Sequence, residues 1–186
     1  MRLPYIPDDP QMSTEEDQDI VTRIKARRGG KLLELDKALL HAPKVADGWN
    51  GFLKAIRTQN SLPDSVRELA ISRVAALNSA WYEWEAHAPL LEKSGGVSKE
   101  AIEGLKDRQA NGKGLDEKHA AVLEVTDAVT LNVIVPNGKF DKLREHFSEQ
   151  EIVEIVATVG AYNCVSRFLV ALDVGEMAEK YKVDFS

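Results

Sequence analysis

Along most of the chain, apolar residues recur every three to four positions, and no useful length alternates apolar with polar as a strand would. Ser13-Thr14-Glu15-Glu16 reads as a capping box in which the Ser13 hydroxyl meets the Glu16 amide. It opens a helix that runs to about Arg28 and stops at Gly29-Gly30. A short helix is predicted over 32–40, closed by Pro43, and a third over 45–58, with Trp49, Phe52, Leu53 and Ile56 at helical spacing. Pro63-Asp64 begins a fourth to about Leu77, and Asn78-Ser79 breaks it from a fifth over about 80–93 that ends at Gly95-Gly96. Further helices are predicted over 98–108, 116–131 and 140–146, with a turn at Pro136-Asn137-Gly138. A second capping box, Ser148-Glu149-Gln150-Glu151, launches a long helix to about Leu172. The predicted fold is therefore all-α, a compact bundle of about eight helices.

Residues 1–12 hold Pro4, Pro7 and Pro10 and read as an extended arm able to wrap a neighbouring copy. The chain is expected to form one domain, with an arm and helical extension over 1–60, a core over 61–175 and a tail over 176–186. A length of 186 residues suits one domain, and 44% hydrophobic and 29% charged residues are an ordinary globular balance. The net charge of -6 disfavours a general affinity for nucleic acid or anionic membranes. The run Lys25-Ala26-Arg27-Arg28 is read as cations complementing the end of a helix. No stretch approaches the roughly 20 apolar residues that span a bilayer, and the N-terminus lacks the apolar core of a signal peptide. A cytoplasmic protein is the expectation. Cys164 is the one cysteine, which excludes an internal disulfide and any multi-cysteine zinc site. The four histidines show no paired ligand spacing, so neither a metal nor another cofactor is expected.

The fourth and fifth helices hold the candidate chemistry. Leu69 to Leu77 is apolar nearly all round, the pattern of a helix buried on most sides. Glu68 stands at its start, and Arg73 shares a stripe with Val66, Ala70 and Leu77. On the next helix, Glu83 and His87 are one turn apart and can touch, with Trp84 and Leu91 beside them. A carboxylate beside an imidazole raises its pKa and fixes its tautomer, as proton transfer requires. The same spacing also produces ordinary surface pairs worth about 0.3–0.5 kcal/mol. Pro89 is expected to bend this helix near His87. On the last helix, Asn163 is a polar residue on an apolar stripe and needs a partner, either a neighbouring helix or a ligand.

Arg67-Glu68-Leu69-Ala70, Tyr82-Glu83-Trp84 with His87, and Gly160-Ala161-Tyr162-Asn163 together resemble the carboxymuconolactone decarboxylase family. The resemblance covers nearly the whole chain. It implies the alkylhydroperoxidase D-like fold, assembly as trimers or hexamers, and either decarboxylation of a carboxylated muconolactone or thiol-dependent peroxide reduction. The peroxidase branch carries two cysteines seven and four residues before its histidine. Here those positions are Ala80 and Glu83, so dithiol chemistry is expected to be absent, while Glu68 and His87 match that branch's glutamate and histidine.

The expected activity is that of a cofactor-free lyase acting on a small cyclic carboxylic acid. His87 would be the general acid, tuned by Glu83 or Glu68. Arg73, and next Arg67, would hold the substrate carboxylate. Tyr82 and Asn163 would donate to an enolate oxygen, and Trp81 and Trp84 would exclude water. Isomerisation, lactone opening or non-catalytic ligand binding are the alternatives on the same fold.

Overall fold

In the computed structural model, which describes residues 1–185, the chain is helical throughout, with ten helices and no strand among those residues. The contacts divide it into two compact units, 1–58 with 171–186, and 59–170. Ser186, the end of the expected tail, lies outside the described residues.

The first unit holds α1 (Glu15–Arg27), α2 (Glu34–Leu39), α3 (Pro43–Thr58) and a short helix near the C-terminus described below. The cap of α1 is Thr14 rather than Ser13: the Thr14 hydroxyl accepts from the Asp17 amide, one residue later than the sequence pattern suggested. Pro43 opens α3 instead of closing the segment before it, because the first helical position needs no amide donor. Buried Ile20, Val21 and Ile24 of α1 and Ala46, Leu53 and Ile56 of α3 recur at helical spacing, and the two helices pack together.

The proline-rich arm folds onto its own unit rather than standing out to wrap a neighbour. The Arg2 amide donates to the Leu172 carbonyl at 2.8 Å, and the Tyr5 hydroxyl accepts from the Gly175 amide at 2.8 Å. His41 Nε2 meets the Pro4 carbonyl at 2.7 Å, and Lys25 and Lys37 pair with Asp9 and Asp8. Side chains and the C-terminal segment thus supply the partners that a Pro-rich backbone lacks. The expected C-terminal tail is part of this unit and carries the short α10 (Met177–Tyr181). None of the helical segments predicted from the sequence covers it, because five residues are too few to show a period.

The second unit is built on α4 (Asp64–Leu77), α5 (Trp81–Ser94), α6 (Lys99–Gly104), α7 (Glu117–Asn132), α8 (Asn137–His146) and α9 (Glu149–Leu172), the last two residues of which fall in the first unit. α4 is nearly encased and packs on α5 and α7. The α4–α5 corner is turned by Ser79 in the left-handed region, at φ 54. The expected turn at Pro136-Asn137-Gly138 is instead the first turn of α8, with Pro136 as its cap. The predicted box at the start of α9 is present: Ser148 Oγ and its amide both donate to Glu151 Oε2, and the Glu151 amide donates back to Ser148 Oγ. These bonds hold the Glu151 carboxyl below the usual carboxylate range, the Ser148 amide first and its hydroxyl second.

α9 corrects the expectation that no stretch reaches membrane-spanning length: by length and apolar composition alone it could cross a bilayer. Its Ile152, Ile155, Val159, Tyr162, Val165 and Leu169 form a buried stripe, the signature of a core helix. The apolar excess that lengthens the run lies on the opposite face, where Val153 and Val156 are exposed.

Candidate active site

The corner between α4 and α5 brings Glu68, at the start of one helix, beside Glu83 and His87 on the other. His87 Nδ1 lies 2.6 Å from Glu68 Oε2. Its Nε2 lies 3.1 Å from Glu83 Oε2 and 3.3 Å from the Tyr162 hydroxyl, which reaches in from α9. The rings of His87 and Tyr162 meet edge to face at 5.1 Å. All four side chains are buried, His87 to 2% exposure. The surface-pair reading of Glu83 and His87 therefore does not describe this protein.

Burial by itself opposes a charged imidazole and is the strongest influence on His87. Bonds to Glu68 and Glu83 together outweigh it and raise the His87 pKa above the ordinary histidine value. The two carboxylates thus favour the protonated ring more than burial disfavours it. Arg67 adds a cation: its Nε donates to Glu68 Oε1 at 3.3 Å and its Nη2 to Asp64 Oδ1 at 2.6 Å. Cations or proton donors thus stand on both sides of the Glu68 carboxylate, as a buried carboxylate requires. Nη1 of Arg67 makes no hydrogen bond among the described residues.

Arg73 does something other than the role expected for it. It is fully buried, and each of its five donor hydrogens has an acceptor. Nε and Nη2 grip Asp127 Oδ1 and Oδ2 at 2.6 and 2.8 Å. Nη1 donates to the Leu105 and Asp107 carbonyls, and Nη2 also to that of Arg108. No donor remains for a substrate carboxylate, so Arg73 is a tether between helices and not a clamp.

Asn163 is likewise engaged within the helices. Its amide donates to Thr130 Oγ1 and the Val159 carbonyl, and its oxygen accepts from Asn78 and Arg167. With every polar atom held, it is not a donor to an enolate. Trp84 is buried, meets Trp81 edge to face at 6.5 Å, and carries the Lys106 ammonium 5.0 Å from its ring centroid. Trp81 and Tyr82 are half-buried on the first turn of α5, which runs on through Pro89. Tyr162 is the residue of this cluster that sequence analysis did not nominate. Its place on an apolar helix beside Asn163 was the available signal, but nothing local links it to His87, 75 residues away.

Cys164 is exposed on α9, away from the buried cluster. The fold is of the alkylhydroperoxidase D-like class, and it encloses a buried cluster of one histidine, two carboxylates and a tyrosine. The sequence profile of the carboxymuconolactone decarboxylase family matches residues 43–127, a little under half of the chain.

Solved structures agree on the fold. The alkylhydroperoxidase AhpD core of an uncharacterized peroxidase-related protein from Ralstonia eutropha JMP134 is 19% identical, with a TM-score of 0.74 over 93% of this chain and 90% of that one. An uncharacterized peroxidase-related protein from Silicibacter sp. TM1040 is 19% identical, with a TM-score of 0.71 over 92% of this chain and 91% of that one. A variant of the debrominase Bmp8 in complex with 2,3,4-tribromopyrrole is 16% identical, with a TM-score of 0.67 over 99% of this chain and 100% of that one. No curated protein matches the sequence. The chain therefore has a fold that enzymes acting on small molecules use.

Proposed function

We propose that the protein is a decarboxylase-type lyase for a small cyclic carboxylic acid, with His87 as its general acid. One observation carries the reading: a buried imidazole sits between two carboxylates, Glu68 at 2.6 Å and Glu83 at 3.1 Å, whose bonds raise its pKa. An acid near neutral pH and out of bulk water is what protonation of a carbanion needs.

In this reading Glu68 accepts the Nδ1 hydrogen bond as a fixed partner, and Nε2, which lies between Glu83 and the Tyr162 hydroxyl, is the atom that reacts. The substrate carboxylate leaves as carbon dioxide, and its bonding pair passes into the ring as an enolate. The Nε2 proton of His87 then moves to the ring carbon, and Glu83 stabilises the imidazolium before transfer and orients the ring. Arg67 replaces Arg73 as the carboxylate anchor, because Nη1 keeps its donors while Nε and Nη2 hold the guanidinium in place. Trp81, Tyr82 and Trp84 are proposed to exclude water beside the cluster.

Carboxymuconolactone itself is the first substrate to test. Carbon dioxide release by the wild type, reduced at least about a hundredfold in His87→Gln with helicity unchanged, is the expected result. Equal release by the two proteins would overturn the assignment. Consumption of the lactone without carbon dioxide would instead identify isomerisation or ring opening.

A further inference from the structure

The run Lys25-Ala26-Arg27-Arg28 closes α1 as a helix-end cation cluster, and the structure gives one of its members a second setting. Arg23 and Arg27, one turn apart on α1, face Asp47, Asn50, Gly51 and Lys54 on α3 across a cavity of about 520 Å³. The cavity lies wholly within the first unit, and none of its lining residues belongs to the acid–base cluster. Its volume is that of a small-ligand site.

The charges around it are unequally satisfied. Arg23 is neutralised by Asp47 at 2.7 Å. Arg27 makes no hydrogen bond among the described residues: its nearest carboxylate, Asp36, is 3.9 Å away and already accepts from Arg28 and from the Leu33 amide. The Lys54 ammonium makes no ion pair among those residues, and the side chain is exposed. Arg27 is also partly withdrawn from water and sits close to Arg28 and Arg57, and burial first, then those charges, hold its pKa below the usual arginine value. The Arg27 guanidinium, with only a distant carboxylate that Arg28 already holds, and the exposed Lys54 ammonium therefore leave the cavity with cations in excess, on a chain whose net charge is -6.

The second observation is independent of charge. Asn50 is buried, its amide nitrogen donates to the Ala46 carbonyl at 2.8 Å, and its Oδ1 has no hydrogen-bond partner. A buried acceptor left unmade costs free energy, so such a group marks a place where a donor belongs. An ammonium donor would be repelled by Arg27 and Lys54, which leaves a hydroxyl or another neutral donor. Gly51 keeps the neighbouring wall open: a Cβ there would meet nothing within 4 Å.

We propose that this cavity binds a small dianion bearing a hydroxyl, with Arg27 and Lys54 neutralising its charge and Asn50 Oδ1 accepting the hydroxyl hydrogen. A 2-hydroxy dicarboxylate and a phosphate ester with a neighbouring hydroxyl share this chemistry. Calorimetric titration of the full chain with malate, succinate and glycerol 3-phosphate tests it, since malate and succinate differ by one hydroxyl. Malate binds about tenfold more tightly than succinate if the hydroxyl satisfies Asn50, and whichever of malate and glycerol 3-phosphate binds more tightly identifies the source. Arg27→Gln and Lys54→Gln each weaken every ligand that binds, about tenfold, whereas Asn50→Ala removes only the preference for malate over succinate. Gly51→Leu, which fills the open wall with a better helix former, abolishes binding without loss of helicity and covers the case in which Asn50→Ala fails to fold. Absence of saturable binding by both hydroxylated anions in the millimolar range, or affinities indifferent to Arg27→Gln and Lys54→Gln, would overturn the proposal.

Discussion

His87 has an ordinary local sequence and an extraordinary setting. Glu68 and Glu83 offset the cost that burial imposes on a charged ring, and the consequence reaches beyond chemistry to stability. The histidine pKa is raised on folding, so the folded protein binds the proton more tightly than the unfolded chain does. The resulting stabilisation is fully present below the unfolded histidine value of about 6.5 and is lost as pH rises through the folded value. The stability difference between wild type and His87→Gln, measured by urea denaturation, should therefore shrink as pH is raised above about 6.5. A difference that stays flat, or grows with pH, would show that the imidazole is not held charged. The sequence displayed half of this residue-scale picture. Glu83 is one turn from His87 on the same helix, and helical periodicity makes that contact legible. Glu68 is 19 residues away across the α4–α5 corner, and no periodicity relates the two.

Between elements, a single side chain ties α4 to α7 and to the carbonyls that follow α6. Arg73 sits on an apolar stripe of α4, and from sequence that placement suits a tether and a substrate clamp equally well. Packing distinguishes them, because Asp127 and three backbone carbonyls use every donor the guanidinium has. Removing one partner from a buried charge network leaves the other partners desolvated and unpaired. Arg73→Met is thus expected to destabilise the protein by roughly 3–5 kcal/mol, read as a fall in denaturant midpoint. Arg73→Lys should recover only part of that, since a point charge cannot reproduce the bidentate grip on Asp127. A loss of activity in Arg73→Met at full stability would instead restore the clamp. Helix starts were largely legible, since caps such as Ser98, Asp116 and Ser148 are local chemistry. The errors fell where two local signals compete, as at Ser13 against Thr14, or where proline can end one element or begin the next, as at Pro43 and Pro136.

At the scale of the whole molecule, the exposed face of α9 is the feature that a lone chain does not explain. Val153 and Val156 lie on it, exposed to 66% and 37%, with Gly160 one turn further. Past the end of α7, Val133 and Ile134 are also exposed, and Val133 is held at φ 66, a costly conformation for a β-branched residue. We propose that the protein assembles as a homo-oligomer through this apolar face of α9. Val153→Asp with Val156→Asp should lower the mass measured by light scattering to that of one 20.6 kDa chain while leaving the helical signal intact. A wild type that is already monomeric at micromolar concentration would refute the assembly.

The sequence by itself determined the local features: an all-helical chain, the caps and breaks of most helices, one Glu–His pair a turn apart, and the absence of a second thiol. Each depends on residues within about four positions of one another, where backbone geometry alone fixes who meets whom. Tertiary structure decided the rest. It set Glu68 and Tyr162 against His87, engaged every donor of Arg73 elsewhere, folded the proline-rich arm onto its own unit, and left Arg27, Lys54 and Asn50 around an open cavity. Those outcomes depend on how helices far apart in the chain pack together, and a buried charge or an orphan acceptor exists only once packing has excluded water from it.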